Sequence, residues 1–307
     1  MRKKIAVIGA GFVGSTTAQR VLEKGLGDVV LLDMIEGMPQ GKALDMLHSG
    51  ATENFTNNII GANDYKDISG ADVVVITAGL ARKPGMSRED LLFANAKIVT
   101  DITLNIKKYA PDSFVIVVTN PMDIMAYVVW KKSGFSANKV LGMGGVLDTA
   151  RFKSLLAMKL GVAVTDIQAM VLGGHGDEMV PLVDYTTVSG IPVKTLMSKK
   201  DLDEIVQRTR KSGAEIVELL KTGSAYYAPS SAAVYMAEAI LLDKKRLLPA
   251  SVLLNGEYGI KDAYVGVPII LGANGLEKII EVDLSDLDLK QLQKSAEVIK
   301  KNISALY

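Results

Sequence analysis

Ile5-Ala6-Val7-Ile8-Gly9-Ala10-Gly11-Phe12-Val13-Gly14 is the stretch that decides the fold. Its first four residues are a short, largely β-branched apolar run, the pattern of a strand buried on both faces. A helical pattern from Val13 to Glu23 follows at once. Between them lies G-x-G-x-x-G. Gly9 permits a tight turn, Gly11 lets the backbone approach a pyrophosphate, and Gly14 allows close helix–strand packing. The helix N-terminus would offer unpaired N–H groups to the phosphates. Taken alone, the six residues also fit a glycine-rich turn with no ligand.

The pattern repeats outward from that point. Val29–Leu32, Val73–Thr77 and Phe114–Val118 read as further buried strands, and Val140-Leu141 as a short one. Helical segments are expected over Leu91–Lys108 and Met122–Lys132, with Pro121 in the first turn of the latter. Alternation of this kind specifies a doubly wound α/β sheet, a Rossmann-type parallel sheet. The second half changes character. A helix is expected over about 148–160, closing near Gly161, then a strand over Ile167–Leu172 and long helices over about 201–219 and 225–245. Val252–Leu254, the turn Asn255-Gly256 and Ala263–Leu271 read as an antiparallel hairpin. A C-terminal helix from about 286 carries Leu289, Leu292, Ala296, Ile299, Ile303 and Leu306 at helical spacing. The expectation is a dinucleotide-binding domain over 1–143 and a mixed α+β catalytic lobe over 144–307.

The chain's 307 residues suit two lobes, and 49% hydrophobic against 22% charged residues can bury a large core. Thirty-five Lys and Arg against 34 Asp and Glu leave a net charge of +1. No global field draws the chain to nucleic acid or to an anionic membrane, so anion recognition must be local. The absence of cysteine excludes disulfides, thiol catalysis and thiolate metal sites. The N-terminal apolar run is interrupted by Gly9, Gly11 and Gly14 and turns polar at Ser15, unlike a signal peptide. The expectation is a soluble, cytoplasmic protein with a small-molecule ligand and no resident metal.

Asp33 ends the second strand, nineteen residues past Gly14. A carboxylate there can bond both ribose hydroxyls and repel a 2′-phosphate, favouring NAD over NADP, or it can simply cap the strand end. Of the two histidines, His175 stands in the glycine-flanked loop Leu172-Gly173-Gly174-His175-Gly176-Asp177, open enough to reach a substrate. His48, in the helical stretch Ala43–Ser49, reads as structural. An alcohol–ketone interconversion moves a hydride and a proton, and imidazole suits the proton step. Asp148 is the candidate carboxylate to orient it, with Arg151 three residues on, although without His175 an ordinary helix N-cap is the default reading of Asp148, and spacing alone does not join the two. The loop Gly79-Leu80-Ala81-Arg82-Lys83-Pro84-Gly85-Met86-Ser87-Arg88 leaves a strand's carboxyl end with three cations, as an anion-closing lid or as a solvated basic loop. Asn120 ends the next strand at the same rim, to bond a substrate or to cap a helix.

With these residues in order along more than 160 positions, the chain resembles the lactate/malate dehydrogenase superfamily, specifically the malate dehydrogenases of the lactate-dehydrogenase-like bacterial type. The resemblance implies NAD as cofactor, with Gly9, Gly11, Phe12, Val13, Gly14, Asp33, Gly79, Asn95, Val118 and Asn120 contacting it. It implies His175 as proton donor and acceptor, Asp148 as its partner, Arg151 as the clamp on the C1 carboxylate, and Arg88 polarising the C2 oxygen. Asn120 would bond that oxygen or the nicotinamide region. At the position of Arg82, family members with Gln go with pyruvate and lactate, and those with Arg go with oxaloacetate and malate. Lys83 is a second possible cation. Ala225, where lactate dehydrogenases present Thr near the substrate methyl, leaves room for a larger substrate.

Three rivals stand against that reading. A lactate or branched 2-hydroxy-acid dehydrogenase conflicts with Arg82. An NAD- and metal-dependent glycosidase would need Cys or clustered His ligands. A non-catalytic NAD sensor would leave the acid/base and arginine set without a use. The resemblance further implies a homodimer or homotetramer, with Gly37–Leu47 and Arg208–Leu220 as candidate interface helices.

Overall fold

The computed structural model describes residues 2–80 and 87–307. Its first half is β1 (Lys4–Ile8), α1 (Phe12–Glu23), β2 (Asp28–Leu32), α2 (Met38–Glu53), β3 (Ile59–Ala62), β4 (Val73–Ile76), α3 (Arg88–Tyr109), β5 (Phe114–Val117), α4 (Met122–Ser133) and β6 (Val140–Gly142). The second half begins with α5 (Gly144–Leu160) and four two-residue strands: β7 (Ile167–Gln168), β8 (Val171–Leu172), β9 (Val180–Pro181) and β10 (Thr187–Val188). It continues through β11 (Ile191–Pro192), α6 (Val193–Leu196), α7 (Lys199–Leu220), α8 (Tyr227–Leu241), β12 (Arg246–Asn255), β13 (Lys261–Gly272), β14 (Gly275–Ile279) and α9 (Asp286–Ser304).

The main sheet has nine strands in the order β14-β13-β12-β6-β5-β4-β1-β2-β3. The six strands from β3 to β6 are parallel. Their order reverses between β1 and β4, and ligands bind at such a switch point, outside the carboxyl ends of the strands. All four residues of β4 and the central residues of β1 are fully buried, which is why those runs carry no polar alternation. The long β12–β13 hairpin does not form a sheet of its own. It extends the parallel sheet through the antiparallel pairing of Ser251 with Gly142, so one sheet runs through both halves of the chain. A second apolar core, with Phe152, Leu156, Ile167, Val171, Val193 and Leu202, lies under α5 and α7.

Several expectations shift. Ile167–Leu172 is not one strand: β7 pairs with β10, and β8 pairs with β9. The hairpin turn is longer than Asn255-Gly256, because a 3₁₀ turn over Glu257–Gly259 and a register shift at Leu254/Asn255 intervene. Pro121 is the N-cap residue of α4, just outside its first turn. The sequence reading lacks β3, the full length of α2, β9, β10, β11, α6 and β14. Among the described residues no helix is long and apolar enough to cross a membrane.

Candidate active site

The carboxyl ends of β1, β2, β4 and β5 deliver Gly9, Asp33, Thr77–Gly79 and Val118–Asn120 to one rim. At β1 the chain turns through Gly9, at φ 102°, where a Cβ would meet the Ala78 nitrogen at 2.6 Å. A Cβ on Gly14 would come within 1.7 Å of the Gly9 carbonyl oxygen, so α1 packs directly on the turn. Gly11 differs: nothing lies within 4 Å of the position its Cβ would take. Gly11 is also the N-cap of α1 and supplies no side-chain cap, so the first N–H groups of the helix face that space unpaired by a side chain. The cradle therefore fits a diphosphate.

Asp33 does both things its position allows. Its Oδ2 accepts from the Ala10 amide at 2.7 Å and its Oδ1 from the Ile35 amide at 3.1 Å, which fixes the carboxylate beside the glycine turn. A carboxylate has about four acceptor directions, so each oxygen can still take a hydroxyl. Asn95 is buried and ties the rim together: its Oδ1 accepts from Leu80 N at 2.7 Å and its amide donates to the Asn120 carbonyl at 2.7 Å. Gly79 lacks a side chain for a packing reason, since a Cβ there would meet Thr119 Cγ2 at 2.5 Å. Val118 is buried, whereas Asn120 is exposed at the rim.

The structure joins Asp148 and His175, which lie 27 residues apart. The His175 Nδ1 is 2.8 Å from Asp148 Oδ2, and both side chains are largely shielded from solvent. A proton on Nδ1, donated to Asp148, leaves Nε2 as the reactive nitrogen. Burial pulls the imidazole pKa down, but the Asp148 charge and hydrogen bond, with help from Asp123, outweigh both burial and Arg151, and the net shift is upward from 6.5. Asp148 sits in the second turn of α5, so it is not the helix N-cap. Arg151, one turn further on, contacts Asp148 Oδ1 through one terminal nitrogen at 3.4 Å. Its Nε is buried without a partner among the described residues. Burial lowers the Arg151 pKa, against the pull of Asp148. A largely buried guanidinium with one long bond has donors to spare for a carboxylate.

Asp123 was not among the sequence candidates. Its carboxylate is buried on α4, accepting from the His175 backbone N–H at 2.7 Å and from Ser251 Oγ on β12 at 2.7 Å. Burial raises its pKa, against those two bonds and the His175 charge. On the other side of the loop, Ser295 Oγ on α9 accepts from Gly174 N at 2.7 Å. The loop that carries His175 is thus held by Asp148, Asp123 and Ser295. The visible signal was a lone acid inside the apolar run Met122–Trp130, where an unpaired charge would be costly. Gly144 belongs to the same support, because a Cβ there would meet His175 Cβ at 2.7 Å.

Ser87 caps α3 with Asp90 in a reciprocal capping box, which fixes the start of that helix. Arg82, Lys83 and the side chain of Arg88 lie outside the described residues. His48 is exposed on α2.

Comparisons with known proteins identify the family. The lactate/malate dehydrogenase NAD binding domain matches residues 3–142, and the lactate/malate dehydrogenase alpha/beta C-terminal domain matches residues 145–306. A malate dehydrogenase of Roseiflexus sp. is 56% identical over 306 residues, covering 100% of this chain and 99% of its own. One from Methanosarcina mazei is 57% identical, covering 99% of each chain. Among solved structures, apo malate dehydrogenase from Picrophilus torridus superposes with a TM-score of 0.97 at 45% identity, over 99% of this chain and 97% of that one. A lactate dehydrogenase from Cryptosporidium parvum, complexed with lactic acid and nicotinamide adenine dinucleotide, also gives 0.97, at 47% identity over 100% and 98%.

Proposed function

The chain belongs to the lactate/malate dehydrogenase family as an NAD-dependent malate dehydrogenase, and from that premise we propose which residues carry the reaction. His175 is the proton donor and acceptor, Asp148 orients it, and Arg151 and Arg82 hold the two substrate carboxylates. Arg88 polarises the C2 oxygen, and Asn120 bonds that oxygen or the nicotinamide edge. The observation that carries the reading is the 2.8 Å contact between His175 and Asp148 beside a buried, under-bonded Arg151.

NAD, when bound, supplies the hydride acceptor. The protein's part is position and charge. The α1 N-terminus and the Asp33 carboxylate receive the dinucleotide, and Asn95 holds the lid base against Asn120. In malate oxidation His175 Nε2 takes the hydroxyl proton, and Asp148 stabilises the resulting imidazolium. In the reverse direction the same imidazolium returns the proton to the C2 oxygen. Arg151 grips the C1 carboxylate with the flat bidentate geometry that guanidinium favours.

The proposal includes a division into an NAD-binding domain over 1–143 and a catalytic domain over 144–307. It also includes a cytoplasmic homodimer or homotetramer without nucleic-acid or membrane partners. Leu44 and Leu47 on α2 and Val217, Leu219 and Leu220 near the end of α7 are exposed apolar residues on the two expected interface helices, and the mass in solution decides between the two assemblies.

Comparing kcat/KM for NADH oxidation with oxaloacetate and with pyruvate tests the substrate. A preference of about a hundredfold or more for oxaloacetate is expected, and equal or reversed preference would refute the dicarboxylate assignment. Gly11→Val tests the cradle. Because the Cβ projects into empty space, the thermal midpoint should move by no more than about 3 °C. The side chain would fill the phosphate path, and NADH affinity should fall by about tenfold or more. A variant that binds NADH like the parent would show that the dinucleotide lies elsewhere.

A further inference from the structure

Lys42 stands on α2, outside the glycine motif and outside the proton-transfer site. It is half-buried, and its ammonium donates to the Ala10 carbonyl, inside the glycine turn, at 2.6 Å. The same ammonium lies 5.9 Å from the centre of the Phe12 ring, the first residue of α1. Its hydrogen bond therefore goes to a neutral oxygen, and no carboxylate among the described residues forms an ion pair with it. Asp33 holds the other side of Ala10, accepting from its amide. One residue of the phosphate turn is thus gripped by an anion at its N–H and by a cation at its C=O.

That arrangement matters to a diphosphate. The Asp33 carboxylate that suits a ribose also places a negative charge beside the turn, where it repels an incoming dianion. The net charge of +1 provides no general attraction to offset it. The first turn of α1 contributes N–H groups but carries no basic side chain, its sequence there being Phe12-Val13-Gly14-Ser15. An ammonium has three donors, and Ala10 takes one. Two stay available on a flexible stem already anchored to the turn.

We propose that Lys42 is a further cofactor-binding residue, the cation that binds the diphosphate of the dinucleotide and offsets the charge of Asp33. The proposal rests on NAD being the cofactor. It concerns affinity for phosphate, so its consequences differ from those of a residue that merely braces the loop. In the latter case every ligand of the adenosine half would suffer alike. In the former, only ligands that carry the diphosphate would.

The test is direct binding to the full-length protein, with NADH followed by its fluorescence and ADP-ribose and adenosine by calorimetry. Lys42→Met keeps the apolar stem and removes the charge, and Lys42→Arg keeps the charge. For Lys42→Met, Kd for NADH and for ADP-ribose should rise about tenfold, the usual scale for one charge-assisted bond at a partly solvated site. Adenosine should bind as it does to the parent. The loss should shrink in high salt, because screening already weakens the interaction in the parent. Lys42→Arg should restore both phosphate ligands to within about threefold. Equal weakening of all three ligands would overturn the proposal in favour of loop bracing. Unchanged NADH and ADP-ribose binding would overturn it outright. A parent protein that binds none of these ligands would instead remove the NAD reading on which the proposal rests.

Discussion

His175→Asn lowers kcat for oxaloacetate reduction by about a thousandfold while NADH affinity stays within about twofold. The expectation follows from what the side chain touches. His175 Nδ1 is engaged by Asp148, and the loop backbone is held independently by Asp123 and Ser295, so the loop keeps its anchors when the ring is replaced. Asparagine can still reach Asp148 with its amide, but it offers no group that titrates near neutral pH. The glycine turn and Asp33 are built from other elements, which is why binding and turnover should separate. A kcat within about tenfold of the parent would remove His175 from the proton step.

The pH profile adds a second readout with a definite sign. Reduction of oxaloacetate needs the imidazolium, so kcat/KM falls as pH rises through the His175 pKa. Oxidation of malate needs the neutral ring, so kcat/KM rises through the same pKa. Because the net effect of Asp148 and Asp123 over burial and Arg151 is upward, both limbs should centre above 6.5 in the free enzyme. Asp148→Asn withdraws the charge responsible, and both limbs then move to lower pH. Limbs that stay in place in Asp148→Asn would show that another group sets them.

How far this site could be read without coordinates depends on whether each signal is local. The glycine turn, Asp33 and the strands β1, β2, β4 and β5 were legible because buried parallel strands are continuous apolar runs, and their carboxyl ends are where ligands meet such a sheet. The strand β3 escaped because Ile59-Ile60-Gly61-Ala62 contains a glycine and an exposed Ile60. That glycine is required by α2, since a Cβ on Gly61 would meet the Pro39 backbone at 2.2 Å, but the reason lies about twenty residues upstream. The start of α5 was misplaced for a similar cause. Gly144 and Gly145 are poor helix formers, so propensity puts the helix start at Asp148. They are glycines because His175 and the Pro249 carbonyl press against this first turn of the helix: a Cβ on Gly145 would lie 2.7 Å from that oxygen. Asp148 then falls in the second turn, and from there it reaches the histidine.

The residues that position His175 are the least local of all. Asp123, Ser251 and Ser295 come from α4, β12 and α9, and no spacing rule joins them. Asp123 and Ser251 are polar groups in apolar runs and Ser295 lies on the amphipathic α9, and each is explained only by the polar groups that it satisfies in the interior. Removing the Asp123 carboxylate would strand a buried N–H and a buried hydroxyl. That makes Asp123 part of the site's architecture without any contact to the reacting atoms.

Arg82→Gln should cut kcat/KM for oxaloacetate by roughly 30- to several-thousand-fold, the range that corresponds to about 2–5 kcal/mol for truncating one side of a desolvated charge pair. Pyruvate should lose little or gain, because its methyl group gives Arg82 no partner and a neutral glutamine removes a stranded cation. The ratio between the two substrates should therefore shift by at least about a hundredfold. The fold cannot make this distinction. The Cryptosporidium parvum lactate dehydrogenase and the Picrophilus torridus malate dehydrogenase both superpose on this chain with a TM-score of 0.97, so backbone likeness is equal for enzymes of either name. Discrimination must come from side chains at the substrate's far end. Arg151 beside Asp148 is the residue we assign to the carboxylate that both substrates share, and it should bind either one. The second carboxylate of oxaloacetate needs a further cation inside a closed, poorly hydrated site, and Arg82 is the one we assign to it. Lys83→Met supplies the control. If Lys83 were the cation, its loss would reproduce the fall in oxaloacetate turnover, and Arg82→Gln would leave the substrate ratio near the parent value. If the ratio moves only in Arg82→Gln, the preference for the dicarboxylate lies in a guanidinium, whose flat fork can grip both carboxylate oxygens at once.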